Sequence, residues 1–527
     1  MSDRHPPQPV PGVAGPIEGV PGQGWYSSVS HLPALDPRLI NEDLAPVSPE
    51  NRTWNWWHIA SLWIGMAICI PTYTLASGLV DRGWTWQAAV GSIVLGNFIV
   101  LIPIALNSHA GTRYGIPFPV MARSAFGVRG ASVPAILRAL VACGWFGIQT
   151  WIGGWAIYKL LESVWPGIAQ LPSIFPAWVG LNTGEFFCFM LFWALNVVIV
   201  LRGMNSIKFL ETWGSPFLLA VGFALLAWAW VKSGGWAEML SNPPRPLSQP
   251  GERSWELGSI FGAGLTSAVA FWGTMALSIP DFSRYARSQR DQIMGQAVGL
   301  PVTMALFAFI GAVVTNATAV IFGTRVADPV LLLARIGGPF MVGIAMLGLA
   351  VATLTTNVAA NVVAPANGFS SLAPRRISFR TGALITAGIG IVIMPWRLYN
   401  DASAYIFTWL IGYGALLGPV AGIMIADYYA LRRRTLDVAS LYRRRGLYEY
   451  SNGINWIAMA ALALGILPNL PGFLDALGAM DVGPVWQMLY NWAWFVGFAI
   501  SYITYLLAMR SFERPGEAAP SAAYAGD

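Results

Sequence analysis

The sequence predicts an all-α polytopic membrane protein of about twelve transmembrane helices, built as a five-plus-five inverted repeat with helices 1 and 6 broken. Of the 527 residues, 55% are hydrophobic and 11% are charged, whereas soluble domains carry about 25% charged residues. Apolar runs long enough to cross about 30 Å of hydrocarbon recur along most of the chain. Glycine and proline indicate a break in two of these runs, which are five apart in order.

Twelve apolar runs are the predicted spans, which we number 1 to 12 in chain order. They cover residues 58–79, 86–107, 133–160, 184–202, 210–231, 257–280, 297–322, 338–364, 380–396, 403–426, 453–471 and 486–509. We expect residues 57–430 to form a ten-helix transport core and residues 431–510 to add two helices. Residues 1–56 and 511–527 are expected to be cytoplasmic tails, because the N-terminal stretch lacks the apolar core of a signal peptide.

The basic residues indicate the orientation of the chain. The loop after span 10 contains Arg432-Arg433-Arg434 and Arg443-Arg444-Arg445, and the other loops after even-numbered spans are also richer in arginine than those after odd-numbered spans. Cytoplasmic loops of membrane proteins carry such an excess of Lys and Arg. We therefore expect a multi-pass protein of the cell membrane with both termini in the cytoplasm. The formal charge of +6 follows from these loops and does not indicate nucleic-acid binding.

Spans 1 and 6 contain the helix breaks. Gly65 and Pro71 bracket the middle of span 1, and Gly273 and Pro280 stand at matching places in span 6. A proline inside a helix frees a carbonyl group, which within a membrane must meet a partner, an ion or a water-filled cavity. Matched breaks in two halves of a chain are typical of secondary transporters that bind their substrate between the halves.

Span 3 contains an uncharged amide beside a tryptophan. Trp145 and Gln149 are four residues apart and therefore share a helical face. A buried amide needs hydrogen-bond partners, and an indole offers a flat surface for stacking. The pair suits a planar, polar, uncharged heterocycle. The alternative is that Gln149 bonds to a neighbouring helix while Trp145 fills space.

Span 8 contains the corresponding polar residues. Thr355 and Thr356 share a face with Ala352, and Asn357 lies one turn before Asn361. The hydroxyl groups could bond back to the preceding helical turn. They could equally be oxygen ligands for a small cation, so both interpretations stay open at this point.

Several function classes lack support in the sequence. No Asp or Glu lies in the middle of a span, since Glu185, Asp281 and Asp427 are near span ends. A proton-coupled carrier usually has a titratable group inside the membrane. There is no nucleotide-binding loop of the Walker type and no carboxylate pair or metal-ligand cluster. We expect neither an enzyme nor a resident cofactor. The three cysteines lie in apolar runs, which makes a disulfide framework unexpected.

Several motifs together resemble the nucleobase–cation symporter-1 family, which includes hydantoin, allantoin, uracil and cytosine permeases. They begin at Asn41 (NEDLAP), Gly115 (GIPFPVMARSAFG), Trp145 (WFGIQTW), Asn357 (NVAAN) and Gly422 (GIMIADYY), and they span about residues 41–450. The resemblance implies a LeuT-like fold of ten core helices plus two, working by alternating access. It also implies that Trp145 and Trp272 sandwich a substrate ring while Gln149 and Asn361 bond to its polar edges.

The resemblance further implies a cation site between spans 1 and 8. Its ligands would be the backbone carbonyls of Gly65, Ile68 and Ala352 and the hydroxyls of Thr355 and Thr356. Sodium is the expected coupling ion, with a proton as the alternative.

Around the substrate site this chain departs from the family's sodium-coupled hydantoin transporter. That protein, in our alignment, has an amide at the position of Cys69, a glycine at Phe271 and a tryptophan at Leu354. We therefore place Cys69 and Phe271 among the substrate-binding residues and expect a ring smaller than a bulky hydantoin.

The favoured prediction is a cation symporter that imports a nucleobase or hydantoin-like ring such as allantoin, uracil or hydantoin. The alternative is a proton-coupled or uncoupled facilitator or channel for a related planar compound such as cytosine or a purine. Broken helices and polar residues in mid-span favour a carrier over an open pore.

Overall fold

A computed structural model describes residues 35–202, 204–240, 256–336, 339–399 and 404–512. Helices occupy all twelve predicted spans, which confirms the predicted fold class. From span 1 to span 12 they are Trp56–Ala67 with Ile70–Asp81, Trp86–Tyr114, Ser132–Val164, Thr183–Arg202, Met204–Ser233, Glu256–Phe271 with Gly273–Ser278, Gln289–Phe322, Pro339–Asn361 with Val363–Leu372, Phe379–Val392, Ala404–Leu410 with Ile411–Ile425 and Ala426–Leu431, Trp456–Ile466 with Leu470–Ala476, and Pro484–Asn491 with Ala493–Phe512.

Most of these helices can cross a membrane by length and composition. Among the described residues nine do so as single helices, and the two halves of span 1 together make a tenth. The remaining two spans, 6 and 9, contain the shorter apolar helices Phe261–Phe271 and Phe379–Val392. Span 9 ends before its predicted boundary at residue 396, because Met394 has a positive φ of 51° and Pro395 begins a new short helix.

Span 1 is broken at Ile68 and Cys69. The two halves meet at 55°, and Cys69 is extended, with φ −146° and ψ 159°. Pro71 falls in the first turn of the second half, where a missing N–H does no harm. The Ala67 carbonyl accepts hydrogen bonds from the Cys69 amide at 3.0 Å and the Thr72 hydroxyl at 2.8 Å. The break therefore keeps this buried carbonyl satisfied.

Span 6 is interrupted at Trp272, whose φ of −101° and ψ of 11° lie outside the helical range. The chain resumes as Gly273–Ser278 and then as a four-residue turn, Pro280–Ser283. The predicted break is therefore present, and it lies just after the long helix Glu256–Phe271.

The spans pack in two groups. Spans 1, 2, 6 and 7 contact one another, and spans 3, 4, 8 and 9 form the second group. Glycine permits the close approach of span 7 to span 1, since a Cβ at Gly299 would lie 2.8 Å from the Ala60 carbonyl oxygen. Spans 11 and 12 pack together, and both contact span 10.

Part of the expected N-terminal tail packs against the helices. Leu44 is fully buried, and its carbonyl accepts a hydrogen bond from the Tyr442 hydroxyl at 2.7 Å. Arg284, just after span 6, donates to the Asp43 carbonyl at 2.8 Å. Residues 1–34 of this tail, and 513–527 of the C-terminal one, lie outside the described residues.

A buried ion pair fixes the end of span 10. Asp427 accepts hydrogen bonds from Arg432 Nε at 2.9 Å, Ser124 Oγ at 2.7 Å and Tyr505 OH at 2.9 Å. Asp427 is completely buried, so each partner stabilises its negative charge. The hydrogen bonds of Asp427 to Tyr505 and Ser124 join the end of span 10 to span 12 and to the loop between spans 2 and 3.

Candidate substrate site

A cavity lies where the two groups of spans meet, beside both helix breaks. Spans 1 and 6 contribute one side, and spans 3 and 8 contribute the other. The lining residues are Met66, Cys69, Trp145, Gln149, Phe271, Trp272, Thr274, Met275, Ala360 and Asn361. All six residues that the sequence suggested for substrate binding therefore line a single cavity, and each is at most 7% exposed.

Among the residues that the structure describes, no charged side chain lines the cavity. Its polar groups are two amides, one threonine hydroxyl, one thiol and the indole N–H groups. A charged ligand would lose its hydration without gaining a countercharge. The lining therefore suits a neutral ligand that carries hydrogen-bonding groups.

Trp145 forms the centre of an aromatic cluster. Its ring lies 5.3 Å from Phe271 and 5.9 Å from Trp409, both in edge-on geometry. Tyr405 and Tyr413 are each 6.2 Å away. Edge-on contacts of this kind hold a ring in one orientation, so Trp145 is a rigid wall of the cavity.

Phe271 and Trp272 lie at the break of span 6. Their rings are 5.1 Å apart, and Trp272 also packs edge-on against Trp63 of span 1 at 5.0 Å. The break thus directs two successive aromatic side chains toward the cavity. Phe271 contacts both Trp145 and Trp272 and reduces the space between the two indoles.

The two amides have different surroundings. Gln149 is buried, and within the described part of the chain its Oε1 has no hydrogen-bond partner. Asn361 Nδ2 donates to Asn357 Oδ1 at 3.0 Å. Leaving a buried acceptor unpaired is unfavourable, so Gln149 is suited to accept a hydrogen bond from a ligand.

The residues implied as cation ligands lie near this cavity but are only partly described. The first half of span 1, which ends one residue before Ile68, contacts the helix of span 8, and Thr356 is buried. The side chains of Ala352 and Thr355 are outside the described set. Within that set no three His, Cys, Asp or Glu side chains could share a metal ion, so a cation here would need carbonyl and hydroxyl oxygens.

Sequence reasoning missed several residues of the site. Met66, Thr274, Met275 and Ala360 line the cavity, but nothing in their spacing separates them from ordinary packing residues. Asn196 was detectable, because it is the one amide within the apolar middle of span 4. The criterion that selected Gln149 in span 3 would also have selected it.

A buried arginine in span 3 was also missed. Arg138 is 2% exposed and donates to Ser278 Oγ in span 6 at 2.8 Å. The bond links the two groups of spans on one side of the cavity.

Comparison with known proteins places the fold and the site in context. The family model for permeases for cytosine/purines, uracil, thiamine and allantoin matches residues 46–497. A purine-uracil permease of Arabidopsis thaliana is 45% identical over 485 residues, covering 91% of this chain and 79% of the relative. An allantoin permease of Bacillus subtilis is 40% identical over 474 residues, covering 90% and 94%.

A solved structure has the same architecture. The transporter Mhp1 in an inward-facing conformation matches with a TM-score of 0.73 at 26% identity, covering 91% of this chain and 95% of that one. Its closed form with bound bromovinylhydantoin, described as a nucleobase–cation symport-1 family transporter, matches with a TM-score of 0.70 and 26% identity, over 90% and 96% of the two chains.

A five-plus-five helical repeat broken at spans 1 and 6, with a cavity beside both breaks, defines a membrane transporter of the LeuT-like fold. Within that class, the family match and the two permeases are specific. The chain belongs to the nucleobase–cation symporter-1 family of permeases for cytosine and purines, uracil, thiamine and allantoin.

Proposed function

We propose that this protein is a secondary active transporter that carries a small, planar, neutral heterocycle across the cell membrane together with sodium. Allantoin and uracil are the favoured substrates. The observation that carries the proposal is the uncharged cavity in which Trp145, Trp272, Gln149 and Asn361 come together beside the two helix breaks. Stacking on the indoles and hydrogen bonding to the amides would bind such a ring without any charge.

The size of the cavity favours a small ring. Phe271 packs against both Trp145 and Trp272, where our alignment gives the hydantoin transporter a glycine. A bulky substituent on the ring would have to displace the Phe271 side chain. Uracil and allantoin, which the names of two relatives include, are both small rings.

A ligand panel tests the substrate proposal. Purified protein would be heated with allantoin, uracil, hydantoin, a 5-arylhydantoin, cytosine and a purine. A true ligand raises the melting temperature in proportion to the logarithm of its concentration once binding is saturated. We expect stabilisation by allantoin or uracil and none by the 5-arylhydantoin. Stabilisation by the purine or cytosine alone would assign the alternative substrate class.

Sodium coupling is the second part of the proposal. A small, hard cation would be held by oxygen atoms of span 1 near its break and of span 8, where Thr355 and Thr356 stand. We expect sodium to raise substrate affinity, and substrate to raise sodium affinity by the same factor, as linkage requires. Thr355→Ala should reduce this coupling more than it reduces substrate binding in saturating sodium.

Binding titrations in sodium and in choline buffers at fixed pH test the coupling. Equal affinities in the two buffers would remove sodium from the mechanism, and a pH-dependent affinity would then indicate protons. Counterflow of labelled substrate separates a carrier from a channel, because only a carrier shows trans-acceleration.

A further inference from the structure

A network of hydrogen-bonded, buried polar side chains connects Asn361 to span 4. We call the part formed by Asn357, Thr150 and Asn196 the relay. Asn357 Nδ2 lies 3.2 Å from the Phe146 carbonyl oxygen, 3.1 Å from Thr150 Oγ1 and 3.1 Å from Asn196 Oδ1. Asn357, Thr150 and Asn196 are all fully buried. The relay therefore joins spans 3, 4 and 8 behind the cavity. None of its three side chains lines the cavity itself.

The hydrogen-bond partners of Asn357 and Asn196 determine where the oxygen and the nitrogen of each side-chain amide point. The Thr150 hydroxyl donates to the Phe146 carbonyl at 2.7 Å, so its oxygen faces Asn357 as an acceptor. Asn196 Nδ2 donates to the Phe192 carbonyl at 2.8 Å, which leaves its Oδ1 for Asn357. Backbone carbonyls can only accept. Asn357 must therefore present its amino group to these three acceptors and its Oδ1 to Asn361.

The same logic sets the orientation of Asn361. Since Asn357 Oδ1 is an acceptor, Asn361 must present Nδ2 to it, as the 3.0 Å contact shows. A rotation of the Asn361 amide by 180° would bring two oxygens together. The relay therefore fixes the Asn361 oxygen at the opposite end of its amide.

We propose that Thr150, Asn357 and Asn196 are positioning residues that make Asn361 an acceptor for one N–H group of the substrate ring. This inference rests on the proposed function and specifies its substrate class: a ring whose recognised edge carries an N–H donor, such as a lactam, imide or ureide. A ring nitrogen without a hydrogen at that edge has nothing to donate to the Asn361 oxygen, so such a ring should bind more weakly than its N–H counterpart.

The test compares affinities for a parent ring and its N-methyl derivatives, using uracil or allantoin, whichever the wild-type protein binds. We expect the wild-type protein to discriminate against at least one N-methyl isomer by about tenfold or more, since an unpaired buried polar group costs roughly 5- to 150-fold in affinity. Thr150→Val, which is isosteric and lacks the hydroxyl, should reduce this discrimination about threefold or more. Thr150→Ser retains the hydroxyl and should retain the discrimination.

Span 4 supplies a second variant and span 2 a matched control. Asn196→Leu should lower the same discrimination. Asn97 is also fully buried, and its Nδ2 likewise donates to a carbonyl one turn earlier, that of Ile93 at 2.7 Å. Asn97→Leu thus removes an equivalent bond away from the relay. It should leave the ratio of affinities unchanged, even if the melting temperature of the ligand-free protein falls.

The outcomes separate the two proposals. Normal N-methyl discrimination in both Thr150→Val and Asn196→Leu, with binding intact, overturns the relay alone. Equal weakening toward every member of the series would show a merely structural role and also overturns it. A wild-type protein that binds none of these heterocycles overturns the proposed function, and the relay with it.

Discussion

Gln149 and Asn361, the two amides that we propose bind the substrate, are held by the protein to different degrees. Asn361 is held by Asn357, whereas Gln149 Oε1 has no hydrogen-bond partner among the described residues. A glutamine side chain also has one more rotatable bond than an asparagine. Under the proposed function, Gln149 would therefore adjust to rings of different shape, while Asn361 would set a fixed requirement at one edge.

Removal of either amide tests its role directly. We expect Gln149→Ala and Asn361→Ala each to weaken substrate binding by roughly 5- to 150-fold, equivalent to about 1–3 kcal/mol for an unpaired polar edge on the ligand. Both proteins should still fold and insert, which size-exclusion chromatography and ligand-free melting would check. Normal affinity in both variants would restore interhelical packing as the explanation of these residues.

The loss of substrate binding on replacing either tryptophan should depend on how much ring area the substitution removes. Replacement of Trp145 or Trp272 with Phe keeps a ring and should be tolerated better than replacement with Ala, because ring stacking contributes about 0.5–1.5 kcal/mol beyond burial. Uptake and equilibrium binding would be measured for all four variants. Normal transport by Trp272→Ala would contradict the sandwich of the substrate between the two indoles.

At the scale of elements, the first part of span 10 covers the aromatic side of the cavity. The segment Ala404–Leu410 is a π-helix, and irregular helical turns of this kind are frequent at functional sites. Its Tyr405 donates a hydrogen bond to the Pro71 carbonyl in span 1 at 3.2 Å. Its Trp409 packs on Trp145 of span 3. One short segment thus contacts both groups of spans.

A single glycine provides the space for Trp409. A Cβ at Gly144 would lie 2.1 Å from Trp409 Cη2, so Gly144→Ala must displace the indole. We expect a lower melting temperature, corresponding to about 1–3 kcal/mol of overpacking, and weaker substrate binding because Trp145 loses its neighbour.

Gly388 in span 9 is the matched control, since a Cβ there would have no atom within 4 Å. Gly388→Ala should leave stability and binding near wild-type values. Equal effects of the two substitutions would contradict a specific contact between Gly144 and Trp409.

The elements were largely predictable from the sequence, whereas the connections between them were not. Length and hydropathy located every span, and Gly and Pro located both breaks, because each acts through local backbone chemistry. The Thr150–Asn196 relay depends on which faces of spans 3, 4 and 8 meet, which no single helix encodes. The packing of Leu44 against Tyr442, almost 400 residues later in the chain, is likewise a tertiary contact without a local signal.

At the scale of the whole molecule, the cavity lies on the boundary between the two groups of spans. Met66 and Trp272 belong to one group, and Gln149 and Asn361 belong to the other. A relative movement of the groups would therefore change the cavity on both sides at once. This arrangement is what an alternating-access carrier requires.

The orientation of the whole chain can be tested with cysteine labelling. The three native cysteines are all buried, which favours a low background. With both termini in the cytoplasm, exposed Ala177 between spans 3 and 4 faces outward and exposed Arg375 after span 8 faces inward. Ala177→Cys should react with a membrane-impermeant maleimide in intact cells, and Arg375→Cys should react only after permeabilisation. The reverse pattern would contradict the predicted orientation.

The uncharged lining of the cavity has an electrical consequence. Moving one elementary charge through a membrane potential of 100 mV changes the free energy by about 2.3 kcal/mol. The ten lining residues contribute no such charge, and neither would a neutral ring. The net charge moved during uptake would then equal the charge of the co-transported cations. The ratio of this charge to the amount of labelled substrate taken up would give the number of cations per substrate.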